Sequence, residues 1–132
     1  VGNLEAQEPV YLSVIHNAAG AALRDSRFPP VTLEESSRLL VHISILSALA
    51  PLHCDSSEAL LDQLMPGRDG VVLRQSGRAS TYLPQVWETF PDKNVFLESL
   101  CRKAGLDANA WRRPESELLV YRVAGFGDPE GA

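Results

Sequence analysis

Ser80-Thr81-Tyr82-Leu83-Pro84-Gln85-Val86-Trp87 carries an apolar strand into a proline and then delivers a glutamine and a tryptophan in quick succession. Proline has no N–H to offer a ladder, so the strand must end at about Pro84. Upstream, Val71-Val72-Leu73-Arg74 is a second strand, and Gln75-Ser76-Gly77 is turn chemistry between the two. Together they predict a β-hairpin whose second strand runs from Arg78 to Leu83. The turn-rich Met65-Pro66-Gly67-Arg68-Asp69-Gly70 leads into it. Downstream, Asp92 is placed to cap a helix with Val95, Phe96, Leu100, Cys101 and Ala104 on one side, Gly105 as its left-handed stop and Leu106 closing over that end. Asp107 to Trp111 adds one turn and Leu118 to Val123 a final strand, ahead of a tail expected to fray.

The first half of the chain begins with Gly2 to Ala6, which has the character of the end of an extended segment with an exposed edge. Pro9 fits the first position of a helix of about four turns. Val10, Tyr11, Val14, Ile15, Ala18, Ala19, Ala22 and Leu23 give it a wide apolar face, expected to pack on a sheet. Its polar stripe is Ser13, His16, Asn17, Gly20 and Arg24. Asp25-Ser26-Arg27-Phe28-Pro29-Pro30 ends it in a rigid loop, because each proline pushes its predecessor into extended geometry. Thr32 to Glu35 has the spacing of a capping box for a short helix through about Arg38. Leu39 to Leu46 predicts a half-buried or fully buried strand, Ala48 to Asp55 a loop, and Ser56 the cap of a helix carrying Leu60, Leu61 and Leu64 inward.

A chain of 132 residues is the common size of one domain and buries a core without disulfides or a structural metal. Apolar residues make up 45% and charged residues 22%, and no apolar run reaches the length of a membrane span, so no membrane association is expected. The opening residues lack the basic and apolar regions of a secretory signal, which makes the cytoplasm the expected location. The net charge is −5, and the acidic excess lies in residues 1–66, with 8 acidic and 3 basic side chains. Nucleic acid is therefore not the first partner to consider, although Arg102-Lys103 and Arg112-Arg113 leave room for a local anionic site. Cys54 and Cys101 are too few and too far apart for a disulfide framework or a metal knuckle.

Five ordered blocks are similar to one family. Asp25-Ser26-Arg27-Phe28-Pro29-Pro30, Ile43-Ser44-Ile45-Leu46-Ser47, Pro66-Gly67-Arg68-Asp69-Gly70, Thr81 to Trp87, and Lys103-Ala104-Gly105-Leu106 resemble the AMMECR domain family, whose prokaryotic members are the AmmeMemoRadiSam system protein A type. The resemblance covers essentially the whole chain as a single domain. It implies an α+β fold, with a mainly antiparallel sheet covered by helices and two halves enclosing a cleft. It also implies work beside a Memo-like protein and a radical-SAM protein. The family signature is a Leu-Arg-Gly-Cys-Ile-Gly-type segment, of which only Val1-Gly2 match the end, so the chain is expected to be truncated relative to the family. One way to complete such a fold is a homodimer through the open edge at Val1 to Ala6.

No metal, nucleotide or hydrolase motif of the familiar kinds occurs, and no cofactor is expected. Whether the chain is an enzyme stays open at this level. The candidate ligand-binding residues are Arg27, Thr81, Gln85, His16 and Asn17. Arg27 has a fork suited to a carboxylate or phosphate, or else pairs with Asp25 to fix its loop. Thr81 and Gln85 flank Leu83-Pro84 and either line a cleft or bond local backbone. His16 and Asn17 either orient a ligand or are solvated. Three functions follow: a ligand- or partner-binding accessory module, a thiol-dependent enzyme using the cysteine of the family signature or, in its absence, Cys54 or Cys101, or an RNA-associated protein.

Overall fold

The computed structural model describes residues 1–127 and divides into two compact units. Val1–Ile45 joins with the chain from Ala124 to form the first, and Leu46–Val123 forms the second.

The second unit is built on a four-stranded antiparallel sheet in the order β2 (Ala50–Pro51), β5 (Glu117–Tyr121), β3 (Gly70–Gln75), β4 (Arg78–Tyr82). The predicted hairpin is β3–β4, with Val72 opposite Thr81 and Gln75 opposite Arg78. Ser76 and Gly77, both at positive φ, turn the chain. β3 is central, so both of its edges are paired, and the burial of consecutive residues along it means that both of its faces are covered. Val71, Val72 and Leu73 form a continuous buried run and do not alternate with polar residues. Helix α3 (Ser57–Gln63) is capped by Ser56, and helix α4 (Lys93–Lys103) by Asp92, whose carboxylate accepts from the Val95 N–H at 3.1 Å. α4 ends as the glycine predicts. Gly105 sits at φ 77°, its N–H donates to the Arg102 carbonyl, and the Leu106 N–H donates to the Cys101 carbonyl.

The core of this unit lies between α4 and the sheet and contains Leu73, Trp87, Phe96, Leu97, Leu100, Cys101, Trp111 and Leu118. After Pro84 the chain winds into a 3-10 turn, Pro84–Glu88, that swings Trp87 inward. Its indole stacks on Phe96 with centroids 3.6 Å apart and donates to the Asp69 carbonyl at 2.7 Å.

The first unit holds α1 (Val10–Leu23), α2 (Leu33–Ser36) and most of the two-stranded sheet of β1 (His42–Leu46) and β6 (Val123–Gly127). α2 carries both bonds of the predicted capping box between Thr32 and Glu35. Pro9 is the N-cap of α1 and not its first helical residue. Three expectations are corrected here. Residues 2–6 are irregular backbone without strand pairing. β1 is largely exposed, because a two-stranded ribbon offers no second layer to bury it. Residues 124–127, assigned to the tail, form most of β6, and the rest of that tail lies outside the described residues.

Candidate partner-binding surface

Helix α1 is turned the opposite way from an ordinary surface helix. Val10, Tyr11 and Ile15 are 56%, 66% and 58% exposed, and Ala18 is exposed between them. On the 3.6-residue repeat these four share one face, continued by half-buried Val14 and Ala22. The covered side is the small and polar one, Ser13, Asn17 and Gly20, of which Gly20 is fully buried. A Cβ on Gly20 would stand 3.2 Å from Val1 Cγ1, so the opening residues lie against that side. Asn17 Nδ2 donates to Ser13 Oγ at 3.1 Å along it. An amphipathic helix normally buries its apolar stripe; α1 leaves much of that stripe open, while on its polar side Gly20 is buried, Ser13 and Asn17 are half-buried and His16 and Arg24 are exposed. Phe28 and Leu33, elsewhere in the same unit, are also exposed.

The five residues singled out from sequence divide between the units. His16, Asn17 and Arg27 belong to the first, Thr81 and Gln85 to the second. His16 Nδ1 is 2.8 Å from a Glu8 carboxylate oxygen. Arg27 closes its own loop, with Nε and Nη2 donating to the two Asp25 carboxylate oxygens at 3.0 and 2.6 Å. The Arg27 side-chain and backbone bonds hold the Asp25 carboxyl down at about 2. Thr81 Oγ1 donates to the Val71 carbonyl at 3.0 Å and lies 2.9 Å from the Tyr121 hydroxyl, which also reaches the Tyr82 carbonyl at 3.1 Å. Two hydroxyl protons thus serve three contacts inside the sheet, and burial pushes the Tyr121 hydroxyl up. Gln85 is exposed on the 3-10 turn.

The residues behind the other two functions are also placed. Cys101 is buried, and desolvation pushes its thiol up, away from the thiolate that nucleophilic chemistry needs. Cys54 is half-buried. Labelling with a water-soluble maleimide at pH 7 is therefore expected to modify Cys54 and to leave Cys101 unmodified until denaturant is added. Rapid labelling of Cys101 in the native chain, read by peptide mass, would contradict this. Of the basic pairs, Lys103 donates to the Thr81 carbonyl and lies over the Tyr82 ring, Arg112 stacks on Trp111 and donates to Asn94, and Arg113 pairs with Asp107. A shallow groove of about 380 Å³ is lined by Arg74, Arg78, Glu115 and Glu117 among others, and its mixed signs do not build an anion site. Among the described residues no group of three His, Cys, Asp or Glu side chains could hold a metal ion, and no helix is long and apolar enough to cross a membrane.

Sequence reasoning found the apolar stripe of α1 and misjudged what covers it. It passed over Tyr121 and Asp69, whose roles depend on neighbours distant in sequence.

The helices and antiparallel sheets of the two units make this an α+β fold. The chain belongs to the AMMECR1 family, whose model matches residues 1–126. It is 36% identical over 127 residues to a protein of Thermofilum pendens, covering 92% of this chain and 57% of that one. It is 34% identical to a protein of Methanocaldococcus jannaschii, covering 98% and 65%. The crystal structure of an uncharacterized protein from Pyrococcus horikoshii superposes with a TM-score of 0.85 at 28% identity, over 95% of this chain and 62% of that one. The chain spans less than two thirds of the length of these relatives.

Proposed function

We propose that the chain is a partner-binding accessory module, working beside a Memo-like protein and a radical-SAM protein, that engages its partner through the apolar face of α1. The observation that carries this reading is the exposure of that helix face, with Val10, Tyr11 and Ile15 open to solvent while Gly20 on the other side is buried and Ser13 and Asn17 are half-buried. Burying one such side chain is worth about 1.5–3 kcal/mol, a gain the isolated chain forgoes. The polar residues bear on it differently. Exposed Gln85 keeps a polar edge for a ligand or a partner's backbone, Arg27 is engaged by Asp25, Thr81 is held by Val71 and Tyr121, and His16 and Asn17 lie on α1 itself, bonded to Glu8 and Ser13. A buried thiol at Cys101 weighs against the thiol-enzyme alternative, and basic pairs already engaged with Trp111, Asn94 and Asp107 weigh against the RNA one.

Calorimetric titration of the chain with the Memo-like and radical-SAM proteins of its organism tests the reading. Ile15→Asp is expected to weaken the complex at least about 30-fold, the ~2 kcal/mol of a buried interface anchor. It should shift the stability of the free chain by no more than about 0.5 kcal/mol, because the side chain is exposed there. Absence of binding by either protein would refute the assigned pathway.

A further inference from the structure

We infer that the open edge of β4, with the side of α4 that runs along it, is a second docking surface whose occupant is an acidic, extended segment of another protein, added to the sheet as a strand. The surface lies wholly within the second unit and is independent of the α1 face. Among the described residues β4 pairs with β3 alone, which makes it an edge of the four-stranded sheet. The two-residue turn at Ser76-Gly77 leaves Gln75 and Arg78 as a hydrogen-bonded pair. The alternation of an antiparallel ladder then turns the N–H and C=O groups of Ala79 and Thr81 away from β3. The Thr81 carbonyl does face outward, since Lys103 Nζ donates to it at 2.8 Å. Among the described residues the Ala79 N–H and C=O and the Thr81 N–H are left to pair with a further strand.

α4 supplies the chemistry that selects the occupant. Its Ser99 hydroxyl lies 2.7 Å from the Tyr82 hydroxyl, and Arg78 at the other end of β4 donates to the Gly105 carbonyl at 3.3 Å, so strand and helix run side by side in opposite directions. Val95 and Arg102 share the Ser99–Lys103 side of α4 by its 3.6-residue repeat. Arg78, Arg102 and Lys103 are exposed, and Val95 is 45% exposed. The wall beside the edge is therefore cationic toward Arg78 and apolar toward Tyr82. Every second side chain of an added strand faces that wall. Laid antiparallel to β4, the segment reads as an apolar residue followed about two and four positions later by acidic ones. Its N–H takes the Thr81 carbonyl from Lys103, and its carboxylates keep the displaced ammonium in an ion pair.

The probe is a fluorescein-labelled, end-blocked peptide, Gly-Val-Thr-Glu-Thr-Glu-Gly, beside its counterpart with lysine for both glutamates. Fluorescence anisotropy with the full chain is expected to show the acidic peptide bound at least about tenfold tighter at about 0.05 M salt, with the preference lost near 0.5 M. Residue-resolved amide exchange by NMR, with the acidic peptide at about millimolar concentration, should slow at least about tenfold at Ala79 and Thr81. The pair Arg102→Glu and Lys103→Glu should reverse the preference between the peptides, and urea unfolding followed by tryptophan fluorescence checks that this chain is folded. Equal binding of the two peptides overturns the proposal, as does unchanged exchange at Ala79 and Thr81. Light scattering that finds the free chain dimeric with those two amides already protected overturns it as well, because a second copy is then the occupant. Ile15→Asp should leave the peptide's affinity unchanged; a loss there would place the peptide on α1 and sink the assignment to β4.

Discussion

Gly70→Val is expected to leave the four-stranded sheet unassembled, and Gly70→Ala to cost about 3 kcal/mol or more. Gly70 stands directly opposite Tyr121 in the β3–β5 ladder, and a Cβ added there would fall 2.3 Å from the tyrosine ring. Overpacking costs about 1–3 kcal/mol where the neighbour can yield. Here it cannot yield freely, because the Tyr121 hydroxyl is tied to Thr81 and to the Tyr82 carbonyl. Moving the ring breaks those bonds and leaves buried polar groups unpaired, at about 1–3 kcal/mol more. The position needs glycine for space and not for backbone freedom, since Gly70 is not among the glycines at positive φ. Urea unfolding followed by tryptophan fluorescence measures the cost. Adding Tyr121→Leu to Gly70→Ala is expected to recover part of it, and a double variant that merely sums the two single losses would show that the ring is not the obstacle.

Trp87→Ala is the second large effect, at about 3–5 kcal/mol, a substantial fraction of the roughly 5–15 kcal/mol that holds a domain of this kind together. The indole is buried at 3% exposure, stacks on Phe96 at an interplanar angle of 6°, and satisfies the Asp69 carbonyl. Removing it opens a cavity against a ring that has no other face-to-face partner among the described residues. It also orphans an acceptor beside a carboxylate that already binds Arg68 and the Met65 N–H. Trp87→Phe keeps most of the stacking area and loses only the hydrogen bond, so its cost should be about 1–3 kcal/mol. Trp111 remains as the fluorescence probe in both variants. Equal losses for Ala and Phe would assign the energy to the hydrogen bond and not to packing.

Local chemistry made much of the second unit legible. Gly105 ends α4 because only a residue without a Cβ takes positive φ cheaply, and Asp92 starts it because a short carboxylate reaches its own first turn. The Thr32–Glu35 capping box and the Asp25–Arg27 pair were visible for the same reason: both partners lie within three residues of each other. Thr81 was less legible as a candidate site residue. Its partners, Val71 and Tyr121, lie 10 and 40 residues away, and only sheet register brings them to it. Whether Arg27 can meet Thr81 or Gln85 could not be read from spacing, and Arg27 falls in a different compact unit from the other two.

By itself, the sequence determined the four helices, the hairpin from β3 to β4, the end of the sheet at Pro84, the caps of α2, α3 and α4, and the family, but not the short strand β2 or β6. Each depends on residues near one another in the chain or on blocks in fixed order. Only the tertiary structure decided that Gly70 must make room for Tyr121 and that Trp87 lies flat on Phe96. It also decided that α1 turns Tyr11 and Ile15 outward. Periodicity specifies which residues share a face of a helix, but which face is buried depends on what lies beside it. For α1 that neighbour is the opening of the chain, with Val1 against Gly20, and Val10, Tyr11 and Ile15 are left exposed.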